Sequence, residues 1–122
     1  MQADGRAIAL VDDDAAVRDS MRFLLEIAGH RIQDYVSAGD FLARCEIARV
    51  TGLILDHHMP MMTGLELAAQ LRQQGWRFPI LLITGSPSPA IVTRAAELGI
   101  EKVLEKPPSE AELLHFVDSL PA

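Results

Sequence analysis

Residues 7–14 have the sequence AIALVDDD, in which five apolar residues are followed directly by three aspartates. A run that is apolar at every position predicts a strand buried on both faces, which is typical of a parallel sheet covered by helices on both sides. Asp14 is a favourable N-cap for a helix over residues 15–28, and Gly29 is a favourable residue to end it. This stretch therefore predicts a strand, a turn rich in carboxylates and a helix.

The same alternation of short apolar runs and helical segments continues along the chain. The predicted strands are 7–11, 31–36, 53–55 ending on Asp56, 79–84 and 102–105. The predicted helices are 15–28, a segment from Ser37 with Phe41, Leu42, Cys45 and Ile47 on its apolar side, Thr63 to about Gln74, Ser88 to Gly99, and a segment after Ser109. Capping boxes are predicted for the pairs Thr63–Glu66 and Ser109–Glu112.

Strands that alternate with helices of about 10–15 residues imply βαβ units and a parallel sheet with helices on both faces. The length of 122 residues fits one domain, since domains cluster at roughly 100–150 residues. No repeat, linker or low-complexity tract interrupts the pattern. We therefore expect one α/β sandwich domain over residues 1–122.

Composition and charge exclude several classes of protein. The formal net charge of −6 disfavours direct binding to nucleic acid, because a phosphate backbone requires a basic surface. No run approaches the roughly 18 apolar residues of a membrane helix, and the N-terminus lacks the apolar region of a secretory signal. The one cysteine, Cys45, cannot form an internal disulfide. We expect a soluble cytoplasmic protein.

The residues at the predicted strand ends suggest a site. In a doubly wound sheet, ligands bind at the carboxyl ends of the strands. Those ends carry Asp12 and Asp13, Asp56, Thr84 and Lys106. Three converging carboxylates stay ionised together only if a cation joins them, and an all-oxygen ligand set suits Mg²⁺ rather than zinc. A hydroxyl and an ammonium beside a metal-bound carboxylate form a pocket for a phosphoryl group, with Asp56 as the nucleophile.

Each of these residues also has an ordinary structural interpretation. An aspartate after a strand is often a helix cap or a solvated loop charge, and Asp56 before His57-His58 could be a turn former. The prediction depends on the coincidence of all five residues at successive strand ends. The two histidines are not predicted to bind zinc, because no further ligands stand at a suitable spacing. We expect them to form a polar rim or to be solvated loop residues.

Four motifs resemble those of response-regulator receiver domains. They are VDDD at 11–14, LDHHMPMMTG at 55–64, ITG at 83–85 and EKP at 105–107. Their order and spacing are most similar to those of FixJ-type receivers, and the resemblance covers essentially the whole chain. It implies a flavodoxin-like fold with a five-stranded parallel sheet of order 2-1-3-4-5. It also implies a cis peptide bond between Lys106 and Pro107.

The resemblance assigns a role to each candidate residue. Asp56 is implied to be the phosphoacceptor, Thr84 the switch hydroxyl and Lys106 the cation that contacts the phosphoryl group. The implied Mg²⁺ ligands are Asp13 directly, Asp12 mainly through water, Asp56, and the backbone carbonyl of His58. The chain departs from the family at Val103, where many receivers carry an aromatic switch residue, at Pro108, and in the proline-rich loop 86–89.

The implied function is that of a phosphorelay receiver rather than an enzyme. Its partner would be a sensor histidine kinase or a phosphotransfer protein, and a homodimer through the face of the fourth helix, fifth strand and fifth helix is compatible with the family. Direct contact with nucleic acid or a membrane is not expected. The alternative is a receiver-fold interaction module whose output does not depend on phosphorylation. A flavodoxin-like cofactor binder or a hydrolase lacks support, because no glycine-rich phosphate loop or nucleophile elbow is present.

Overall fold

The computed structural model describes residues 5–121, so residues 1–4 and 122 of the predicted domain lie outside the described part. Within it, five strands alternate with five α-helices. The strands are β1 Ala7–Val11, β2 Ile32–Tyr35, β3 Val50–Asp56, β4 Ile80–Thr84 and β5 Lys102–Glu105. The helices are α1 Ala15–Ile27, α2 Ala38–Arg44, α3 Gly64–Gln73, α4 Pro89–Glu97 and α5 Glu110–Asp118. None of the helices in residues 5–121 has the length and apolar character that crossing a bilayer requires.

The five strands form one parallel sheet of order β2-β1-β3-β4-β5, which confirms the predicted topology. The register aligns the strand ends that carry the candidate residues. Val11 pairs with Leu55, so Asp12 and Asp56 end neighbouring strands at the same level. Thr84 pairs with Glu105, the residue before Lys106. The sheet therefore brings the candidate residues to one edge.

Two apolar layers cover the sheet, one on each face. Side chains of a strand alternate between its faces, so β1 and β3 contribute to both layers. The layer under α2, α3 and α4 includes Ala9, Val11, Leu53, Leu55, Phe41, Leu67, Leu71 and Ala95. The layer under α1 and α5 includes Ile8, Leu10, Ile54, Met21, Leu25, Leu113 and Val117. Burying each large aliphatic side chain stabilises the fold by about 1.5–3 kcal/mol, and these layers hold the polar edge in place.

The helix starts follow the predicted caps, with one difference. Thr63 and Glu66 form the reciprocal capping box at α3, because each side chain accepts from the other residue's backbone N–H. At α5, Ser109 caps the backbone N–H of Glu112, but the Glu112 carboxylate accepts from the Ser109 hydroxyl at 3.1 Å. The second predicted capping box is therefore only half formed, since the short hydroxyl side chain takes the carboxylate that the backbone N–H was expected to bind.

The second helix is shorter than predicted. It ends at Arg44, and Cys45 is already extended with φ −82° and ψ 133°. Ile47, expected on the apolar side of the helix, lies instead in a 3₁₀ turn and packs against the same layer. The reason is the position of β3, which begins at Val50 rather than at residue 53 and pairs there with Ala7. Only a short connection remains, so the helix must stop for the chain to return to the sheet.

Gly64 joins α3 closely to the end of β3. A Cβ atom at this position would lie 2.6 Å from the backbone oxygen of Asp56 and 2.9 Å from the Cα of His57. The Gly64 N–H also donates to the backbone oxygen of His57 at 3.1 Å. Any side chain here would push the helix away from the strand end that carries Asp56.

We predict that Gly64→Ala lowers the free energy of unfolding by about 1–3 kcal/mol, the usual cost of overpacking against rigid atoms. Urea denaturation followed by circular dichroism measures the change. Gly39→Ala is the matched control, because Gly39 lies in α2 and its Cβ would meet only the Ser37 Oγ at 3.9 Å. That variant should be neutral or slightly stabilised, since alanine is the better helix former. Equal effects of the two substitutions would contradict the proposed crowding.

Candidate functional site

Three aspartates meet at the carboxyl edge of the sheet. Asp12 and Asp56 are only 1% and 2% exposed, whereas Asp13 is exposed at the rim. One oxygen from each of the three carboxylates lies within 4.8 Å of the others. The strand register explains this arrangement, because neighbouring parallel strands β1 and β3 both end here. The structure thus brings together the three carboxylates that the sequence predicted for the site.

Lys106 reaches the two buried carboxylates from the far side of β4. Its Nζ lies 3.1 Å from Asp56 Oδ1 and 3.5 Å from Asp12 Oδ2. The backbone N–H of Lys106 donates to the backbone oxygen of Thr84 at 2.9 Å, which fixes the residue beside the end of β4. The peptide bond between Lys106 and Pro107 is cis, as the resemblance implied. One ammonium therefore contacts both buried acids.

One oxygen of each buried carboxylate has a backbone donor. Asp12 Oδ1 accepts from the Asp14 N–H at 2.8 Å, and Asp56 Oδ1 accepts from the His58 N–H at 3.3 Å. The Oδ2 atoms of Asp12 and Asp56 are buried and have no hydrogen-bond partner in the described part of the chain. Buried polar atoms are rarely left without partners. Carboxylate oxygens of Asp12, Asp13 and Asp56 together form the kind of all-oxygen donor set that a hard divalent cation binds.

The charges at the site are unbalanced. Burial raises the pKa of Asp12, the Asp56 charge raises it further, and the Asp14 N–H and Lys106 act in the opposite direction. Burial also raises the pKa of Asp56, against the hydrogen bond and charge of Lys106. Burial disfavours the Lys106 ammonium, but its hydrogen bond to Asp56 and the charges of both acids outweigh that effect and raise its pKa. Three carboxylates and one ammonium leave two negative charges, which one divalent cation would balance.

Thr84 is fully buried at the end of β4. Its hydroxyl accepts from the Ser86 N–H at 3.1 Å and lies 2.6 Å from Nε2 of His58. The sequence predicted a backbone carbonyl ligand at His58 and a side chain that forms a polar rim or is solvated, so the direct contact of this side chain with Thr84 is new. The pairing of Asp56 with Ile83 places the residues after β3 beside the end of β4, which brings His58 within reach of Thr84.

The two adjacent histidines have different surroundings. The Leu65 N–H donates to Nδ1 of His57 at 3.4 Å, whereas His58 is exposed and faces Thr84. Burial lowers the pKa of His57, and the neighbouring His58 lowers it further. His58 therefore forms part of the pocket rim, and His57 belongs to the contact between α3 and the preceding loop.

Arg18 supports the site from outside, and nothing in the sequence pattern had pointed to it. Its guanidinium donates from Nε to Asp34 Oδ2 at 2.9 Å and from an Nη atom to the backbone oxygen of Asp12 at 2.7 Å. The Arg18 side chain is 12% exposed, so both contacts are shielded from water. Arg18 thereby ties the turn that carries Asp12 to the edge strand β2.

Comparisons with known proteins agree with this geometry. Residues 8–118 match the family described as response regulator receiver domain. Over 112 residues the chain is 35% identical to the transcriptional regulatory protein FixJ of Bradyrhizobium diazoefficiens, covering 92% of this chain and 55% of that protein. Over 116 residues it is 37% identical to the response regulator MprA of Mycobacterium leprae, covering 93% and 50%. The chain thus spans about half the length of these two relatives.

Solved structures show the same similarity. The chemotaxis protein CheY4 of Vibrio cholerae superposes with a TM-score of 0.85 at 28% identity, covering 95% of this chain and 98% of that one. The crystal structure of FixJ-N gives a TM-score of 0.81 at 29% identity, covering 97% and 93%. The flavodoxin-like fold predicted from the sequence is confirmed.

We predict that Asp12→Asn raises the free energy of unfolding by on the order of 1 kcal/mol in a buffer free of divalent cations. The amide removes a desolvated charge, while its oxygen can still accept from the Asp14 N–H. Thermal and urea unfolding measure the difference. Asp19→Asn, on the exposed side of α1, makes the same change in charge and should have little effect.

The stability gained by Asp12→Asn should shrink as pH falls. The pKa of Asp12 is raised in the folded protein, so the penalty for its charge is present above that pKa. As pH falls through it, the wild-type carboxyl takes up a proton, and the advantage of Asp12→Asn shrinks. An advantage that grows as pH falls, or a variant less stable than the wild type at neutral pH, would contradict the charge imbalance.

Proposed function

Because this chain belongs to the response regulator receiver domain family, we propose that it takes up a phosphoryl group on Asp56. Receiver domains are signalling domains of two-component systems, and this chain is one of them. We propose that its own chemistry is limited to accepting the phosphoryl group and losing it again, with no other substrate turned over. We further propose that residues 1–122 act as one domain in the cytoplasm.

The observation that carries the choice of Asp56 is the difference between the surroundings of its two carboxylate oxygens. Asp56 Oδ1 lies 3.1 Å from the Lys106 ammonium, while Oδ2 is buried and without a hydrogen-bond partner. The Asp56 carboxylate is placed to attack, and the ammonium is placed to neutralise charge on the transferring group. In the reaction, a carboxylate oxygen of Asp56 forms a bond to phosphorus as the bond from phosphorus to the donor imidazole nitrogen breaks. The donor histidine leaves with the electron pair and can take up a proton.

We propose that Mg²⁺ is held by Asp12, Asp13, Asp56 and the backbone carbonyl of His58. By the family resemblance, Asp13 is a direct ligand and Asp12 acts mainly through water. The fit rests on the two buried oxygens that have no hydrogen-bond partner among the described residues and on the two uncompensated negative charges. When bound, the ion supplies positive charge to the phosphoryl oxygens. Lys106 contacts the Asp56 carboxylate at 3.1 Å and orients it.

Thr84 is proposed to donate its hydroxyl to a phosphoryl oxygen. Movement of Thr84 would shift the segment 85–89, where Pro87 in the loop and Pro89 at the start of α4 fix φ at two points and limit the available conformations. Val103 lies half-buried against the apolar layer under α4. Its β-branched side chain has few rotamers, so we propose that the change stays centred on residues 84–90.

The proposed phosphoryl donor is a sensor histidine kinase or a histidine phosphotransfer protein, as expected for relatives that are response regulators. A homodimer through α4, β5 and α5 is proposed as an assembly that the family uses. Val92 on α4 is half exposed and lies on that face. Direct binding of nucleic acid by this domain is not part of the proposal, because its net charge is −6.

We predict that Asp56→Asn abolishes labelling by acetyl phosphate in the presence of Mg²⁺, because the amide is not a nucleophile. Intact-mass spectrometry detects the added phosphoryl group, and circular dichroism establishes that the variant is folded. Asp19→Asn is the control and should be labelled like the wild type. Undiminished labelling of Asp56→Asn would refute the assignment of the acceptor. A wild type that is never labelled would favour the interaction module that works without phosphorylation.

We predict that Mg²⁺ raises the melting temperature of the wild type and that Asp13→Asn loses most of this effect, because one anionic ligand is missing. Asp19→Asn should keep it. Mg²⁺ affinity should also fall as pH falls, since the raised pKa values of Asp12 and Asp56 make protons stronger competitors for these carboxylates. If Mg²⁺ leaves the melting temperature of the wild type unchanged, the proposed ligand set is wrong.

A further inference from the structure

The contact between His58 and Thr84 is not explained by the proposed function. His58 Nε2 lies 2.6 Å from Thr84 Oγ1, and the two residues come from different elements, the loop after β3 and the end of β4. Thr84 is fully buried, whereas His58 is exposed. An exposed imidazole therefore covers the hydroxyl that is proposed to contact the phosphoryl group.

The donors and acceptors around the Thr84 hydroxyl determine which group donates in this contact. A threonine hydroxyl has one proton to donate and two lone pairs. One lone pair of the Thr84 hydroxyl accepts from the Ser86 N–H at 3.1 Å. If His58 Nε2 accepts the hydroxyl proton, the one proton of the buried hydroxyl has a partner. If Nε2–H donates instead, the buried hydroxyl proton has no partner among the described residues. Since buried polar groups are generally hydrogen-bonded, the first arrangement is favoured.

The same proton cannot be donated to two acceptors. A phosphoryl oxygen can only accept a hydrogen bond. The Thr84 hydroxyl must therefore stop donating to the imidazole before it can donate to the phosphoryl oxygen. We propose that the His58 side chain is a positioning residue that holds the Thr84 hydroxyl in the unphosphorylated protein and competes with the phosphoryl group for it. This inference rests on the proposed role of Thr84. Phosphorylation then frees the imidazole, and the loop after β3 changes together with loop 85–89.

The loop after β3 lies at the surface, so the His58 imidazole would be released there. Met59 is buried and fixes the start of the loop, whereas Met61 is fully exposed and has a φ of 74°. His58 directly precedes the buried Met59, and its own side chain is exposed on the outside of the pocket. The freed imidazole is thus placed where a partner protein can contact it without entering the pocket.

The test is a double-mutant cycle on the binding of beryllofluoride, a phosphoryl analogue, with saturating Mg²⁺. His58→Ala should bind beryllofluoride about fivefold more tightly than the wild type, the equivalent of about 1 kcal/mol for one hydrogen bond. In the Thr84→Val background the same substitution should change affinity little, because no hydroxyl remains to be held. A purely structural role of His58 would give the same change in both backgrounds.

Two further variants separate the contact from general effects. His58→Gln keeps an acceptor on a side chain of similar reach and should stay close to the wild type. His57→Ala removes the neighbouring imidazole, which faces the Leu65 N–H, and should not reproduce the gain. In NMR spectra of the wild type, the His58 ring signals should move on addition of beryllofluoride, and in Thr84→Val they should move much less.

The outcomes distinguish this inference from the function on which it rests. If the wild type binds beryllofluoride but His58→Ala binds it equally or more weakly, the competition does not exist. A gain of the same size in the Thr84→Val background would also overturn it. A wild type that does not bind beryllofluoride with Mg²⁺ would instead contradict the phosphoacceptor pocket itself.

Discussion

The burial of Asp12 and Asp56 side by side is the constraint on which the site depends. Neighbouring parallel strands that end at one level force their terminal side chains together, and here both are carboxylates with a single ammonium between them. This arrangement is unfavourable by itself, because desolvation and mutual repulsion oppose both charges. It persists because the two apolar layers fix the strands. The fold therefore holds a site at which removing a carboxylate charge or adding a positive charge would be stabilising.

Much of this arrangement was predictable because it follows from strand order and periodicity. The apolar runs before Asp12, Asp56 and Thr84 defined strand ends, and the cap residues Asp14 and Thr63 defined helix starts. The end of α2 was not predictable, since Cys45 carries no stop signal and the return to β3 decides it. The contact of His58 with Thr84 was also hidden, because it depends on the path of a loop rather than on any periodic pattern.

The position of His58 in the loop after β3 depends on the packing at both ends of that loop. Asp56 is held at the end of β3, and α3 begins directly above it only because Gly64 has no side chain. The capping box at Thr63 fixes the direction in which that helix leaves the loop. The path of the intervening residues, which sets the position of His58, is therefore determined from both ends.

Arg18 links the edge strand β2 to the turn that carries Asp12. It binds the Asp34 carboxylate on the edge strand and the backbone oxygen of Asp12 with one guanidinium. Local opening of β2 thus releases the turn that carries Asp12, and occupation of that turn by a cation resists the opening. Fraying of the sheet margin and ion binding are linked equilibria. The outermost strand, whose Tyr35 backbone oxygen accepts from the Asp12 N–H at 3.2 Å, thereby acts as a reporter of occupancy at the carboxylates.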